Sequence, residues 1–230
     1  MATIINIETS THVCSVALCR DNEVFSIKEN KEGLNHAKLV TVFINEILKE
    51  NNLELKDIDA VGISKGPGSY TGLRIGVSTA KGLCYGAHIK LVAIDTLQAM
   101  TVEAINRIKD STNTLFCPMI DARRMEVFCS FYDENNIQKE DIKAIIIDED
   151  SFKDILNKHK VVFFGTGADK CKDTIKHENA IFMENIAPSA SNMTSLSNNA
   201  FISNRFEDIA YFEPFYLKDF VATTPKKKVL

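Results

Sequence analysis

The order of strands and helices that the sequence predicts occurs twice, once in each half of the 230-residue chain. Each copy has three apolar strands joined by tight turns, then a helix, a buried strand that ends in glycines, and a second helix-like stretch. A chain that repeats this βββαβα order is expected to fold as a duplicated α/β protein with two mixed sheets, packed side by side. The strands of the two meanders are predicted at residues 3–8, 13–20, 23–28, 117–121, 125–132 and 143–148.

A polar segment at residues 109–114 separates the two copies. We therefore expect two domains, at residues 1–108 and 109–230, because domain boundaries fall in polar linkers that few contacts cross. The first strand of each copy ends in a carboxylate, Glu8 in one and Asp121 in the other. Such a carboxylate either holds a Mg²⁺–phosphate or is simply solvated, and the sequence leaves both interpretations open.

Residues 62–86 combine a glycine-rich turn with a helix that has small residues one helical turn apart. The turn contains Gly66 and Gly68, and the helix carries Gly72, Gly76 and Ala80 on one face. A glycine inside a helix costs about 1 kcal/mol relative to alanine. Either the turn cradles a phosphate, or the helix is pressed against a neighbouring backbone, since only a very close approach offsets that cost.

The helix predicted at residues 35–51 is apolar over about 240° of its circumference, whereas a helix on one sheet needs a stripe of roughly 100°. It is either buried between two layers of one domain or part of a protein–protein interface. We expect the interface, shared with the glycine-bearing helix, because both unusual helices belong to the same half of the chain. The apolar residues of this helix are Leu39, Val40, Val42, Phe43, Ile44, Ile47 and Leu48.

Charge and composition exclude few classes of protein but favour an ordinary globular one. The formal net charge is −4, so the surface as a whole gives no electrostatic reason to bind nucleic acid. The one basic cluster, Lys226 to Lys228, is interpreted as a solvated tail. The first residues lack the features of a signal peptide, and no apolar run reaches membrane-spanning length, so we expect a cytoplasmic protein with reduced cysteines.

Catalytic motifs in the sequence are weak or incomplete. Residues 62–66 match the G-x-S-x-G pattern of serine hydrolases, but Ser64 does not stand at the start of the next helix. Gly66, Gly68 and Gly72 approximate a dinucleotide fingerprint with the last glycine one residue late, and no Walker A sequence occurs. The histidines lack the spacing of a metal-binding pair on a helix, so no metal site is expected.

Several motifs resemble those of one protein family, and together they cover nearly the whole chain. The motifs are INIETSTHVCSVAL at 5–18, LNHAKLV at 34–40, GISKGPGSYTGLRIGVSTAKGL at 62–83, MIDARRMEVF at 119–128 and EPFYLKDF at 213–220. With its duplicated βββαβα order, the chain resembles the actin, hexokinase and heat-shock-chaperone ATPase superfold, whose domains are ribonuclease H-like. Within that group it resembles the TsaB family, also called YeaZ, and the block GPGSYTGLRIG is the most specific part of the match.

This resemblance implies a non-catalytic subunit. TsaB proteins are similar to TsaD, which transfers the threonylcarbamoyl group to the adenosine beside the tRNA anticodon. TsaD holds its metal through histidines on a helix of its N-terminal half. This chain has His36 there and no second histidine within a turn, so the transferase chemistry is expected to be absent. The implied partners are TsaD, the ATPase TsaE, and a second copy of this chain when TsaD is absent, with tRNA contacted only through the complex.

The resemblance also implies where the partner binds. In this family the helices of the N-terminal domain form a helical bundle with the equivalent helices of TsaD, which is a role for the two unusual helices described above. Replacing Gly76 with leucine is then expected to break the heterodimer and leave the monomer folded. The residues expected at this contact are His36, Leu39, Val40, Phe43, Ile47, Gly72, Leu73, Gly76, Val77 and Ala80.

No cofactor is expected to bind tightly, and ATP or ADP is expected only at the joint with partner subunits. The residues expected near that nucleotide are Glu8, Gly66, Gly68, Ser69, Arg74 and Asp121. The chain departs from the family at Glu8, where an aspartate is usual, and at residues 36–38, where a His-Ser-Glu-like run is usual. Two alternatives remain open: an active small-molecule or sugar kinase that grips phosphates with the turns at 66–69 and 165–167, and an inactive metallopeptidase-like homologue.

Overall fold

The structure, a computed structural model, describes residues 2–33, 35–108 and 112–218. The predicted basic tail at 226–228 and the first residues of the predicted linker, 109–111, lie outside the described residues. The strands are β1 Thr3–Glu8, β2 Cys14–Arg20, β3 Glu23–Asn30, β4 Ala60–Gly66, β5 Lys90–Asp95, β6 Thr114–Asp121, β7 Glu126–Cys129, β8 Lys143–Ile146, β9 Lys160–Phe164 and β10 Ala180–Met183. The helices are α1 His36–Glu50, α2 Tyr70–Ala87, α3 Thr96–Arg107, α4 Lys153–Leu156 and α5 Thr194–Ile202.

The ten strands form two sheets with the same topology. The first sheet has the order β3-β2-β1-β4-β5 and the second has the matching order β8-β7-β6-β9-β10. In each sheet the three meander strands pair antiparallel and the other two pair parallel. The predicted duplicated α/β fold with mixed sheets is therefore confirmed, because two sheets with one strand order are what a repeated βββαβα unit produces.

The second copy is less regular than the sequence predicts. The strand predicted at 125–132 runs only from Glu126 to Cys129, and the helix expected after the second meander is limited to Lys153–Leu156. In the first copy the predicted hairpin turn is confirmed, with Asp21 and Asn22 at φ angles of 49° and 70°. The helix predicted at 35–51 is also confirmed, as α1.

Helix α3 joins the two sheets through apolar contacts on both of its sides. Leu97, Met100 and Ala104 pack with Phe116 and Ile120 of the second sheet. On another side, α3 contributes to a cluster that includes residues of β1, β4 and β5 and of α5. Helix α5, which comes last in the sequence, thus packs against the first sheet. The two halves of the chain are interlocked, and the boundary between residues 108 and 109 stays a prediction.

None of the helices in the described parts of the chain is long and apolar enough to span a membrane.

Candidate functional site

Helices α1 and α2 lie side by side on one side of the first sheet. Their inner residues, such as Val40, Ile47 and Ala80, share one apolar core with Ile7 of β1 and Ile63 of β4. Helix α1 packs against three elements, β2, β3 and α2. This arrangement explains its wide apolar arc, because the sheet and the neighbouring helix each cover part of it.

Eight of the ten residues predicted at the partner contact are buried inside this subunit. The six that are not glycines are each no more than 4% exposed. The assignment of these residues to the contact is therefore wrong, since their surface is already covered by the same chain. The buried residues are His36, Val40, Ile47, Gly72, Leu73, Gly76, Val77 and Ala80.

The turn between β1 and β2 of the same subunit packs directly against the glycines of α2. A Cβ atom added at Gly72 would overlap the carbonyl oxygen of Thr9, and one added at Gly76 would overlap the Thr9 hydroxyl. The Thr9 hydroxyl donates a hydrogen bond to the Gly72 carbonyl at 2.8 Å, and the Ser69 N–H donates to the Ser10 carbonyl at 2.6 Å. The predicted close approach of a neighbouring backbone is confirmed, but the neighbour belongs to this chain. Gly76→Leu would therefore disturb the monomer itself, contrary to expectation.

The His36 side chain is also buried inside the subunit. Its Nε2 lies 2.7 Å from the carbonyl oxygen of Thr11, so that nitrogen carries the proton and donates to the turn. The ring is only 3% exposed. It thus fixes the β1–β2 turn against α1 rather than facing a partner.

The outward side of α1 and α2 carries apolar residues that the chain covers only in part, since Leu39, Phe43 and Ile75 are half-buried against the core. We define the outer face by the residues that form it: Leu39, Val42, Phe43, Ile75, Ser78, Gly82, Tyr85 and Gly86. Val42 is 44% exposed and Tyr85 is 78% exposed. A Cβ atom added at Gly82 or Gly86 would meet no atom within 4 Å. The structure thus places two of the predicted contact residues, Leu39 and Phe43, beside a surface that another chain could cover.

A helical wheel contains the signal that locates this face. At 100° per residue, Ile75, Ser78 and Gly82 of α2 lie opposite Leu73 and Ala80. The prediction followed the stripe of Gly72 and Gly76 instead, because a small-residue stripe marks close packing without saying which chain supplies the neighbour.

A cleft with a volume of about 870 Å³ separates the ends of β1 and β6. Three of the residues predicted near a nucleotide, Gly68, Ser69 and Asp121, line this cleft. The other lining residues include Thr166, from the turn at 165–167, and several that the sequence did not single out, among them Tyr70, Arg123, Tyr216 and Lys218.

Glu8 and Gly66 do not line the cleft, so their assignment as nucleotide-proximal residues stays a prediction without support from the cleft geometry. Glu8 is fully buried, and its Oε1 accepts a hydrogen bond from the Ser10 N–H at 2.5 Å. Burial raises the pKa of the Glu8 carboxyl above its ordinary value. Gly66 has a φ angle of 114° and lies against the backbone of Phe215.

The groups that would hold a magnesium–phosphate are already engaged within the chain. Asp121 forms an ion pair with Lys170 and accepts a hydrogen bond from the Arg123 N–H at 2.9 Å. The Ser69 hydroxyl caps α2 by accepting from the Gly72 N–H. Among the described residues, no group of three or more His, Cys, Asp or Glu side chains is placed to hold a metal ion. The two turns that the kinase alternative requires do both line the cleft, through Gly68, Ser69 and Thr166, but the carboxylate and hydroxyl that would hold a metal there are engaged within the chain.

Arg74 lies at the edge of the cleft in an aromatic cluster. Its guanidinium stands 4.3 Å from the centre of the Tyr70 ring, and its Nε donates to the Tyr216 hydroxyl at 3.2 Å. The Tyr70 and Tyr216 rings are 4.9 Å apart. This cluster ties the segment at 213–218 to the start of α2, with a further hydrogen bond from the Phe215 N–H to the Lys65 carbonyl at 2.7 Å.

Comparison with known sequences gives consistent matches over most of the chain. A family model described as TsaD, tRNA N6-adenosine threonylcarbamoyltransferase, matches residues 30–226. The tRNA threonylcarbamoyladenosine biosynthesis protein TsaB of Escherichia coli (strain K12) is 31% identical over 225 residues, which cover 95% of this chain and 96% of the relative. The protein of the same name from Bacillus subtilis (strain 168) is 33% identical over 134 residues, covering 58% of this chain and 56% of the relative.

Comparison with solved structures confirms the predicted fold. YeaZ from Pseudomonas aeruginosa matches with a TM-score of 0.79 and 23% identity, over 94% of this chain and 100% of that chain. A second structure, described as an uncharacterized protein with similarity to peptidase YEAZ from Pseudomonas aeruginosa, matches with a TM-score of 0.83 and 22% identity, over 95% and 100% of the two chains.

Proposed function

The chain belongs to the TsaB family, whose members take part in the biosynthesis of threonylcarbamoyladenosine in tRNA, and from this premise we propose that it is a non-catalytic subunit that dimerises with TsaD. The pairing would occur through the outer face of α1 and α2. Its role would be to support the transferase rather than to carry the reaction.

The observation that carries this proposal is the uncovered apolar character of the outer face. Exposed aromatic and aliphatic side chains on two adjacent helices, such as Tyr85 and Val42, are costly in water unless a partner covers them. Gly82 and Gly86 leave a shallow channel along α2, with open space above each Cα. A helix of a partner can approach closely over such residues, as in other tightly packed helix pairs.

The burial and the bonding partners of the Glu8, Asp121 and His36 side chains support a non-catalytic role. Glu8 is buried, Asp121 is paired with Lys170, and His36 donates inward to the β1–β2 turn. The groups that the superfold would use for a metal or a nucleotide are therefore committed to the structure of the subunit.

We extend the proposal to the other partners implied by the family. The TsaB–TsaD pair would recruit the ATPase TsaE, and the outer face would bind a second copy of this chain when TsaD is absent. An ATP or ADP molecule would be held at the joint between subunits, with Gly68, Ser69 and Arg74 on this side. The support is the position of Gly68 and Ser69 in the lining of the cleft and the contact of Arg74 with Tyr70 and Tyr216, which also line it. The ion pair of Asp121 with Lys170 leaves this chain poorly equipped to hold a triphosphate alone.

Gly82→Leu is the variant that tests the pairing. A Cβ atom added at Gly82 has no neighbouring atom within 4 Å, the position is exposed, and leucine is a better helix former than glycine, so the monomer should stay folded. In a helix pair the same side chain would force the partner away. We expect the variant to lose the complex with TsaD in size-exclusion chromatography with light scattering, while its circular dichroism spectrum stays unchanged.

Asp154→Leu provides the matched control. It adds an exposed leucine to α4, in the other half of the chain and far from the outer face in sequence. This variant should bind TsaD as the unmodified chain does. A TsaD complex that survives Gly82→Leu would refute the assignment of the outer face, and a complex lost equally in both variants would point to nonspecific aggregation instead.

A further inference from the structure

A second cavity lies at the carboxyl ends of the parallel strands β4 and β5. It has a volume of about 370 Å³ and shares no lining residue with the cleft described above. Its walls come from both halves of the chain: Lys65 and Asp95 at the strand ends, Asn199 on α5, and Asn135 in the loop after β7. In open α/β sheets, ligands bind outside the carboxyl ends of the strands, so this position is a favourable one for a small molecule.

The cavity carries an excess of positive charge. Lys65 and Arg205 line it, and neither side chain forms an ion pair within 4 Å or a hydrogen bond with any residue that the structure describes. Lys65 is close enough to Asp95 to oppose part of the rise that burial causes in the pKa of that carboxyl. The one carboxylate in the lining is Asp95, whose Oδ1 caps α3 by accepting from the Leu97 N–H at 2.9 Å and the Gln98 N–H at 3.3 Å. Two cations and one carboxylate leave one positive charge that a ligand with a single negative charge would balance.

Two amide side chains complete the polar lining. Asn135 and Asn199 face the cavity, and their side-chain amides have no hydrogen-bond partner within the described parts of the chain. An amide offers both a donor and an acceptor, so each can bind a hydroxyl or an amine as well as an oxygen of a carboxylate. The neighbouring side chains of Gln98 and Asn136 do have partners. Each side-chain amide donates a hydrogen bond to the backbone carbonyl of the other residue, at 3.2 Å. This pair holds the loop after β7 against α3 and keeps the cavity in shape.

We infer that this cavity binds a small carboxylate that carries a hydroxyl or amino group next to its acid group. The carboxylate lies between Lys65 and Arg205, where it completes the charge balance. The neighbouring hydroxyl or amine bonds to Asn135 or Asn199. The volume is at the lower end of the range for ligand sites, which suits a molecule of a few carbon atoms. This site is independent of the partner surface on α1 and α2.

Nuclear magnetic resonance on the full chain tests the inference with defined probes. L-lactate and L-serine are titrated separately, and propionate serves as the carboxylate without a donor. We expect saturable shifts of the side-chain amide signals of Asn135 and Asn199 with lactate or serine. Propionate should bind roughly 2- to 10-fold more weakly, because it lacks one hydrogen-bonding group.

Two variants locate the binding. Arg205→Ala and Lys65→Met each remove one cation from the lining and should weaken binding about tenfold, as expected for a charge-assisted hydrogen bond. Arg124→Ala removes an exposed arginine from the turn between β6 and β7 and should leave binding unchanged. Because Arg205 is exposed and Lys65 keeps its long aliphatic stem as methionine, both test variants should fold.

Three results would overturn the inference. One is the absence of saturable shifts with both lactate and serine. Another is binding that is unaffected by both Arg205→Ala and Lys65→Met. The third is a titration with inorganic phosphate that shifts the same amide signals while neither carboxylate does, since the site would then be one for phosphate.

Discussion

The glycines of α2 provide a sharp test of how this half of the molecule is packed. Gly72 and Gly82 lie in the same helix, but Gly72 is buried against the β1–β2 turn and Gly82 is exposed. Alanine at either position gains about 1 kcal/mol of helix propensity. At Gly82 nothing opposes this gain, so Gly82→Ala should raise the free energy of unfolding by about 1 kcal/mol.

At Gly72 the new methyl group would overlap the Thr9 carbonyl oxygen. That oxygen is backbone and cannot move aside by a rotamer change. The turn is also held by the hydrogen bond from the Thr9 hydroxyl to the Gly72 carbonyl and by that from the Ser69 N–H to the Ser10 carbonyl. Overpacking costs about 1–3 kcal/mol, and distortion of one buried hydrogen bond adds about 1 kcal/mol. After the gain in propensity, Gly72→Ala should lower the free energy of unfolding by about 2 kcal/mol.

Thermal unfolding followed by circular dichroism measures the contrast. A chain of this length shifts its midpoint by about 2–4 °C for each kcal/mol, so the two variants should differ by roughly 6–12 °C. Gly86→Ala, also in open space, is the control and should not lower the midpoint. If Gly72→Ala were as stable as Gly82→Ala, the glycine would not be explained by the β1–β2 turn, and the reassignment of this stripe away from the partner contact would fail.

Two further outcomes follow from the site geometry. Burial raises the pKa of Glu8 in the folded state above its ordinary value of 4.5, so its contribution to stability falls as the pH rises through the folded pKa. Glu8→Gln should therefore gain stability relative to the unmodified chain as the pH is raised from below 4.5 to neutrality in urea unfolding, and a difference in stability that does not change with pH would contradict the burial of this carboxyl. Tyr216→Ala should lower the free energy of unfolding by about 1–2 kcal/mol through loss of the contact with the Tyr70 ring, which is tilted by 37° to that of Tyr216. Tyr216→Phe, which keeps the ring and loses only the hydrogen bond from Arg74, should cost less than half of that, and equal effects would rule out the ring contact as the cause.

The fold was predictable because its signal is local and occurs twice. The apolar runs at 3–8 and 117–121, the turn at Asp21 and Asn22, and the helix at 35–51 each depend on neighbours in sequence. The second copy was predicted less well. Helix α4 and strand β7 are short, so packing against the rest of the fold determines their extent, and a periodic pattern of apolar residues within them does not. The family followed from motifs, and the comparisons confirmed it.

The site was predicted only in part, and the errors have one cause. A small-residue stripe at Gly72 and Gly76 shows that something approaches closely, but the sequence does not say that the approaching backbone is the turn at Thr9. Likewise, an acid at the end of β1 has the same sequence signal whether it faces a cleft or is buried as Glu8 is. The cavity beside β5 had no sequence signal, because Lys65, Asn135 and Arg205 are brought together from three distant segments.

By itself, the sequence determined the duplicated strand and helix order, the family, and the presence of two helices with unusual faces. These features depend on patterns within short segments, where each residue's neighbours are known. Only the tertiary structure decided which of those faces are sealed inside the subunit and which are left open. That choice depends on contacts between residues far apart in the chain, such as Thr9 with Gly72, and their packing is set by the whole fold rather than by any local pattern.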